Sequence, residues 1–304
     1  MPAFPRSRGR TDRGGAAALS ARRFREVDPY RAEREWLRYE GTGQRDLYRE
    51  LRERFLARHA VEEEWVVDIG SGPGRFLPFI GRSRVRRVAL DLSREMLNLL
   101  PKSWAAAGGA EPAPDRLLAD ATRPPLLPGS FAEVVVLGNT LGFSGPQADR
   151  LFTEAERLVK PGGMLLLEIA PSVGERSGYL SRLPPSALVR LLHSPLRAIL
   201  ERLDREGFRE EPPRHKTPRT FRRYSVEEVH RRLDRAGWEI RETVAVAPAL
   251  GPATDRLAAI RKDPKAWSRL LDLEEEVGRR AERWPRAAAV LVAARRPSSM
   301  RMIK

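Results

Sequence analysis

Residues 65–76 read WVVDIGSGPGRF, a short apolar run that ends in Asp68 and opens into three glycines. A run of this length bounded by glycine reads as a buried strand, and glycine at its end lets a ligand approach the backbone. The dinucleotide fingerprint G-x-G-x-x-G needs its third glycine where the following helix packs on the strand. Here Gly70, Gly72 and Gly74 are each two apart, and Arg75 stands where that third glycine belongs. The loop is therefore a cofactor loop in which the dinucleotide reading is weakened.

Outward from this stretch, short apolar runs alternate with helical stretches, which predicts βαβ units and a parallel sheet. The runs are 65–69, 85–91, 116–120, 132–138 and 164–170, with two further strands at 238–246 and 287–295. Ser93 starts a helix that Pro101 kinks or ends. Ser225 starts another, with Glu228 three residues on as in a capping box. Upstream, 28–59 shows helical spacing broken at Gly41-Thr42-Gly43, so two helices are expected there. The stretch 171–223 is helical in its middle and ends in a run of basic residues, and 251–286 is again helical. Within it, Trp267 and Trp284 read as core and Glu274-Glu275-Glu276 as a solvated helix face.

Composition narrows the chemistry. The chain has no cysteine, which removes disulfides, thiolate nucleophiles and cysteine-ligated metals, and which fits a cytoplasmic protein. The four histidines include no pair at metal-ligand spacing on an acidic helix, so no metal site is expected. No apolar run approaches the ~20 residues of a membrane-spanning helix, and no membrane partner is expected. Net charge is +15, from 56 basic and 41 acidic residues. That balance reads equally as ordinary solvated faces and as affinity for a polyanion.

The order of the pieces resembles the class I S-adenosylmethionine-dependent methyltransferases, of the type 11/25 kind. Asp68, Gly70, Gly72 and Gly74 are similar to that family's acidic-x-Gly-x-Gly-x-Gly loop. Asp91 ends the second strand, 21 residues after Gly70, and Asp120-Ala121 ends the third. PLLPGSFAEVVVLGNTLGF (125–143) and LVKPGGMLLLEIA (158–170) follow in the family's order. The resemblance implies an α/β, Rossmann-like three-layer fold whose seven-stranded, mostly parallel sheet has an antiparallel last strand.

It also implies S-adenosylmethionine as cofactor. Asp68 would orient the loop or the methionine amino group, Gly70, Ser71 and Gly72 would face the methionine moiety, Asp91 and Leu92 the ribose, and Asp120 and Ala121 the adenine. Leu137, Gly138 and Asn139 would lie beside the methyl group, while Gly74 serves either the cofactor or helix packing. Two alternatives stay open: Asp120 capping its own turn, and Gly138-Asn139-Thr140 as a plain turn. Tyr39, Asn139 and Phe143 are the candidate substrate residues, and no catalytic residue is assigned.

The implied organisation is a flexible basic tail (1–26), N-terminal helices (27–60), the cofactor-binding core (61–170), a helical insertion or lid (171–223), the rest of the core (224–297) with its insertion at 251–286, and a tail (298–304). The loop after strand four lacks the Asn/Asp-Pro-Pro-Tyr clamp of nucleobase and amide nitrogen methylation. With insertions placed to cover the ligand edge of the sheet, methyl transfer to an oxygen or nitrogen of a small molecule is the first expectation. The alternative is an RNA methyltransferase, tRNA or rRNA, with Arg214, Lys216, Arg219, Arg222 and Arg223 on phosphates. A protein methyltransferase or a non-catalytic binder of the cofactor is the third.

Overall fold

Every apolar run expected as a strand forms one. In the computed structural model, which describes residues 43–82, 84–109, 113–171, 176–206, 208–210, 221–250 and 254–298, these are β1 (Glu63–Ile69), β2 (Arg84–Asp91), β3 (Asp115–Leu118), β4 (Phe131–Val136), β5 (Val159–Ile169), β8 (Glu239–Ala245) and β9 (Val290–Arg295). A short antiparallel pair, β6 (Arg176–Gly178) with β7 (Phe208–Glu210), was not expected from the sequence and lies in a sheet of its own. The N-terminal tail, the first N-terminal helix, Tyr39, Arg214, Lys216, Arg219 and the last residues of the chain fall outside the described residues.

The seven strands form one sheet in the order β3-β2-β1-β4-β5-β9-β8. The first five pair in parallel, and β9, last in sequence, runs antiparallel between β5 and β8. β4 is buried along its whole length, as a strand covered on both faces must be. Side chains alternate between two cores: Val66, Val135 and Leu166 join one, and Val67, Val134 and Leu167 the other.

On the first face lie α1 (Gly43–His59), α2 (Arg94–Ala106), α5 (Pro185–Leu192), α6 (Leu196–Glu206), α8 (Thr254–Arg261) and α9 (Pro264–Gly278). On the second lie α4 (Ala148–Leu158) and α7 (Val226–Arg235), giving three layers. The helices of 185–206 and 254–278 share one apolar cluster with α1 and the first face of the sheet. Among the described residues, no helix is long and apolar enough to cross a membrane.

Of the two outcomes expected of Pro101, a kink or an end, the second does not occur, since α2 runs on to Ala106. Proline at this position strips the Leu97 carbonyl of its helical donor, and Arg116 Nη1 reaches that oxygen at 3.4 Å in its place. Glu274 is not solvated: it is fully buried and accepts the amides of Ala249 (2.7 Å) and Leu250 (2.8 Å), tying α9 to the turn after β8. Burial pushes its carboxyl up to about 7 against the pull of those two amides. Trp267 is core as expected, and Trp284 donates its indole N–H to the Gly278 carbonyl at 2.9 Å.

Candidate functional site

The strand order reverses direction between β1 and β4, and ligands of open α/β sheets bind outside the strand ends at such a point. The glycine loop leaves β1 there. Gly70, Gly72 and Gly74 all have positive φ (71°, 54° and 77°), which L side chains rarely adopt. Their surroundings differ. A Cβ on Gly70 would meet Thr140 Cγ2 at 2.4 Å, so this glycine lets the loop after β4 close on the loop after β1. A Cβ on Gly74 would meet Leu77 Cδ1 at 2.7 Å and Leu100 Cγ at 3.0 Å, so Gly74 has a packing role against α2. Above Gly72 nothing lies within 4 Å. That position is the open floor of the site.

Asp91 organises the floor from β2. Its Oδ2 accepts the Gly72 amide at 2.8 Å and its Oδ1 the Ser93 amide at 2.8 Å, while the amides of Gly70 and Ser71 donate to the Leu90 carbonyl. One carboxylate therefore fixes both the glycine loop and the start of α2, where the Ser93 hydroxyl accepts from Met96 N at 3.2 Å. Burial raises the Asp91 pKa, opposed by the amides of Ser93, Gly72 and Leu92. Asp68, only 3 % exposed, is pushed up to about 7 by its own burial and then by the charge of Asp91. The floor thus carries two neighbouring carboxyls that resist becoming two anions.

After the loop comes only a three-residue 3₁₀ turn, Leu77–Phe79. No helix N-terminus faces the open floor from this segment.

From β3, Asp120 and Ala121 stand on the same edge, brought beside Asp91 by the bond from Ala119 N to the Asp91 carbonyl at 3.1 Å. Asp120 Oδ1 accepts both the amide (2.9 Å) and the hydroxyl (2.8 Å) of Thr122, so the turn-capping alternative describes at least this oxygen. From β4, Gly138 and Asn139 are consecutive left-handed residues, φ 66° and 60°. Asn139 precedes the short helix α3 (Thr140–Phe143) without capping it. Its side-chain oxygen is buried and has no hydrogen-bond partner among the described residues.

Phe143 is 65 % exposed and meets Phe221 edge-to-face at 5.1 Å between centroids. Phe221 lies so close to Gly142 that a Cβ there would sit 2.2 Å from the ring. Of the expected residues, Asp68, Gly70, Ser71, Gly72, Asp91, Leu92, Gly138 and Asn139 gather at the β1/β4 junction, and Tyr39 lies outside the described residues.

Residue-by-residue reading missed Arg52 and Glu168. Arg52 of α1 grips the fully buried Glu168 of β5 through Nε and Nη2, both at 2.7 Å, and Glu168 Oε2 also accepts the Gly138 amide at 3.1 Å. The signal was present: a glutamate inside MLLLEIA has no reason to be in a buried strand unless it is paired. Thr140 and Phe221 were likewise legible only once the chain was folded.

Arg222 and Arg223, the described members of the basic run, are engaged within the protein. Arg222 pairs with Glu228 and stacks over Tyr224 (4.4 Å), and Arg223 donates to the Pro171 carbonyl (3.1 Å) and lies over Phe221 (5.6 Å).

Residues 66–163 match the family described as "Methyltransferase domain". No curated protein matches the chain. Among solved structures it is similar to a SAM-dependent methyltransferase from Aquifex aeolicus, at 15 % identity over 89 % of this chain and 99 % of that one, with a TM-score of 0.48. The complex of the Haloferax volcanii Trm112 methyltransferase activator with a putative methyltransferase gives 18 %, 94 %, 100 % and 0.47. Geranyl diphosphate C-methyltransferase from Streptomyces coelicolor A3(2) gives 15 %, 82 %, 79 % and 0.44.

Proposed function

We propose, from the methyltransferase domain that residues 66–163 form, that this protein binds S-adenosylmethionine at the β1/β4 junction and methylates an oxygen or nitrogen of a small molecule. The observation that carries the cofactor is the acidic floor. Asp68 and Asp91 are carboxyls that burial pushes toward the neutral form near an open glycine, and only a 3₁₀ turn follows the loop from β1. A pyrophosphate would meet two carboxyls, with the start of α2 already taken up by Asp91, whereas a ligand carrying an ammonium and a sulfonium offsets their charge. The residues present therefore fit a cationic adenosine cofactor and disfavour a dinucleotide.

When bound, the cofactor supplies an activated methyl group on a good leaving group. The protein's share is to hold and orient. Asp68 would receive the amino group of the methionine moiety, and Gly70, Ser71 and Gly72 would offer backbone to it. Asp91, with Leu92 beside it, would accept from the ribose hydroxyls while fixing the loop, and Asp120-Ala121 would border the adenine. Gly138 and Asn139 would flank the methyl group. The unpartnered Asn139 oxygen can accept a hydrogen bond from an N–H or O–H of the incoming nucleophile, and alignment of that kind is where most of the rate gain of a displacement lies.

Two features support a small acceptor over RNA. The described arginines of the basic run are occupied by Glu228, Tyr224, Pro171 and Phe221 and are not held out for phosphates. Beside Asn139 stands the exposed ring of Phe143 braced by Phe221, an apolar wall. In this reading 61–170 and 224–297 build the core, with 171–223 and 251–286 inserted into it.

Methyl-labelled S-adenosylmethionine incubated with the protein and a cell extract separated into RNA, protein and small-molecule fractions tests this. Label is expected in the small molecules; nuclease-sensitive label in RNA, or label in protein alone, would overturn the acceptor assignment. Label in no fraction would leave a non-catalytic binder. The cofactor assignment has its own pH signature. Asp68 is protonated below about 7, so its attraction for a cation is lost as pH falls through that value. Titration calorimetry from acid to mildly alkaline pH should show cofactor affinity rising with pH in the parent and flattened in Asp68→Asn; a flat parent profile would remove Asp68 from the amino-group role.

A further inference from the structure

Gly138 and Asn139 stand in left-handed conformations one after the other. Glycine tolerates this freely and asparagine better than most residues, but such a pair persists only where its surroundings over-determine it. Three bonds of the turn are local: the Thr140 amide and hydroxyl both donate to the Leu137 carbonyl, at 3.2 and 2.6 Å, and Phe143 N donates to the Asn139 carbonyl at 3.0 Å. The fourth comes from far away in the chain. Gly138 N donates to Glu168 Oε2 at 3.1 Å, and that carboxylate is held in turn by both arms of Arg52.

Glu168 is fully buried and the Arg52 side chain 13 % exposed. A planar guanidinium meeting a carboxylate through two bonds fixes direction as well as distance, and inside the protein the pair is little screened. Arg52 also donates to the Tyr48 carbonyl one turn back on α1 at 2.9 Å, which anchors the guanidinium to its own helix. The orientation of α1 is thereby transmitted through two side chains to the backbone immediately before Asn139.

We propose that Arg52 and Glu168 are positioning residues: their ion pair sets the Gly138–Asn139 turn, and so holds the Asn139 side-chain oxygen where the methyl acceptor arrives. This rests on the methyltransferase reading for its consequence, though not for its geometry. The cofactor floor is built by a different set, Asp68, Gly72 and Asp91, so the pair governs acceptor alignment and leaves cofactor binding alone. Docking of α1 becomes a condition for a competent acceptor site.

The test uses the full chain with Glu168→Gln, Arg52→Met and the conservative Arg52→Lys. Hydrogen exchange of the segment 137–143 is expected to quicken about tenfold or more in Glu168→Gln and Arg52→Met, because the Gly138 amide loses a fixed acceptor. Transfer of labelled methyl into the small-molecule fraction should fall about 10- to 100-fold, while affinity for S-adenosylhomocysteine stays within about threefold. Arg52→Lys, which keeps the charge but not the fork, should recover part of both losses. Unchanged exchange at 137–143 would overturn the proposal. So would transfer, homocysteine-product affinity and melting temperature all falling together, or Arg52→Lys behaving no better than Arg52→Met. If the parent protein labels no fraction, the methyltransferase reading fails, and exchange at 137–143 alone decides whether the pair sets the turn.

Discussion

Asp91→Ala is expected to lose cofactor binding altogether in the working concentration range. The side chain accepts two backbone amides, Gly72 and Ser93, each at 2.8 Å, so its removal unpins the glycine loop as well as deleting the ribose acceptor. A hydrogen bond to a charged acceptor contributes about 1.5–3 kcal/mol, and two such bonds correspond to roughly 10²- to 10⁴-fold in affinity. Calorimetric titration with S-adenosylhomocysteine measures this directly, and thermal melting of the free variant separates misfolding from lost recognition. Asp91→Asn keeps one acceptor oxygen and should fall between parent and alanine. An alanine variant that binds with parental affinity would show the floor to be somewhere other than above Gly72.

Asn139→Gly is the complementary case, expected to spare cofactor affinity and to cut methyl transfer by about 10²-fold, the scale of losing alignment at a reacting centre. Glycine is chosen because φ at this position is 60°, so alanine would add backbone strain of about 1–2 kcal/mol and confuse the result. The reasoning is that a buried amide oxygen with no partner among the described residues is expensive to maintain unless a ligand supplies the missing donor. Single-turnover transfer of labelled methyl, read beside homocysteine-product affinity, separates the two steps. Undiminished transfer in Asn139→Gly would return this residue to an ordinary turn and leave Phe143 without its neighbour in acceptor recognition.

Much of the fold could be read along the chain because its signals are local. The buried parallel strands are continuous apolar runs, Ser93 and Ser225 cap the helices they precede, and Ser225 accepts the Glu228 amide at 3.1 Å. The glycine loop was legible for the same reason, since a positive φ favours glycine through the residue's own backbone and not through distant contacts. Its three glycines were nonetheless not alike. Spacing treats Gly70, Gly72 and Gly74 as one motif, whereas packing sends Gly70 against Thr140, Gly74 into the core and only Gly72 toward open space. Glu274 misled, and the outcome at Pro101 stayed open, because the group that rescues each is distant in sequence: the amides of Ala249 and Leu250 for the buried carboxylate, and Arg116 for the orphaned carbonyl.

The strands of the core, the helices that Ser93 and Ser225 cap, the cysteine-free chemistry and the set of acidic and glycine positions at the strand ends were fixed by residue type and near neighbours. The alternation of strand and helix was not kept, since only a 3₁₀ turn follows β1 and no helix lies between β3 and β4. Only the tertiary structure decided what those positions do together. It set Asp91 under Gly72, buried Asp68 at the end of β1, tied two arginines of the basic run into the fold and joined Arg52 to Glu168 across 116 residues of chain. Partnership between distant side chains is a property of packing, and no local pattern encodes which buried charge will find which counter-charge.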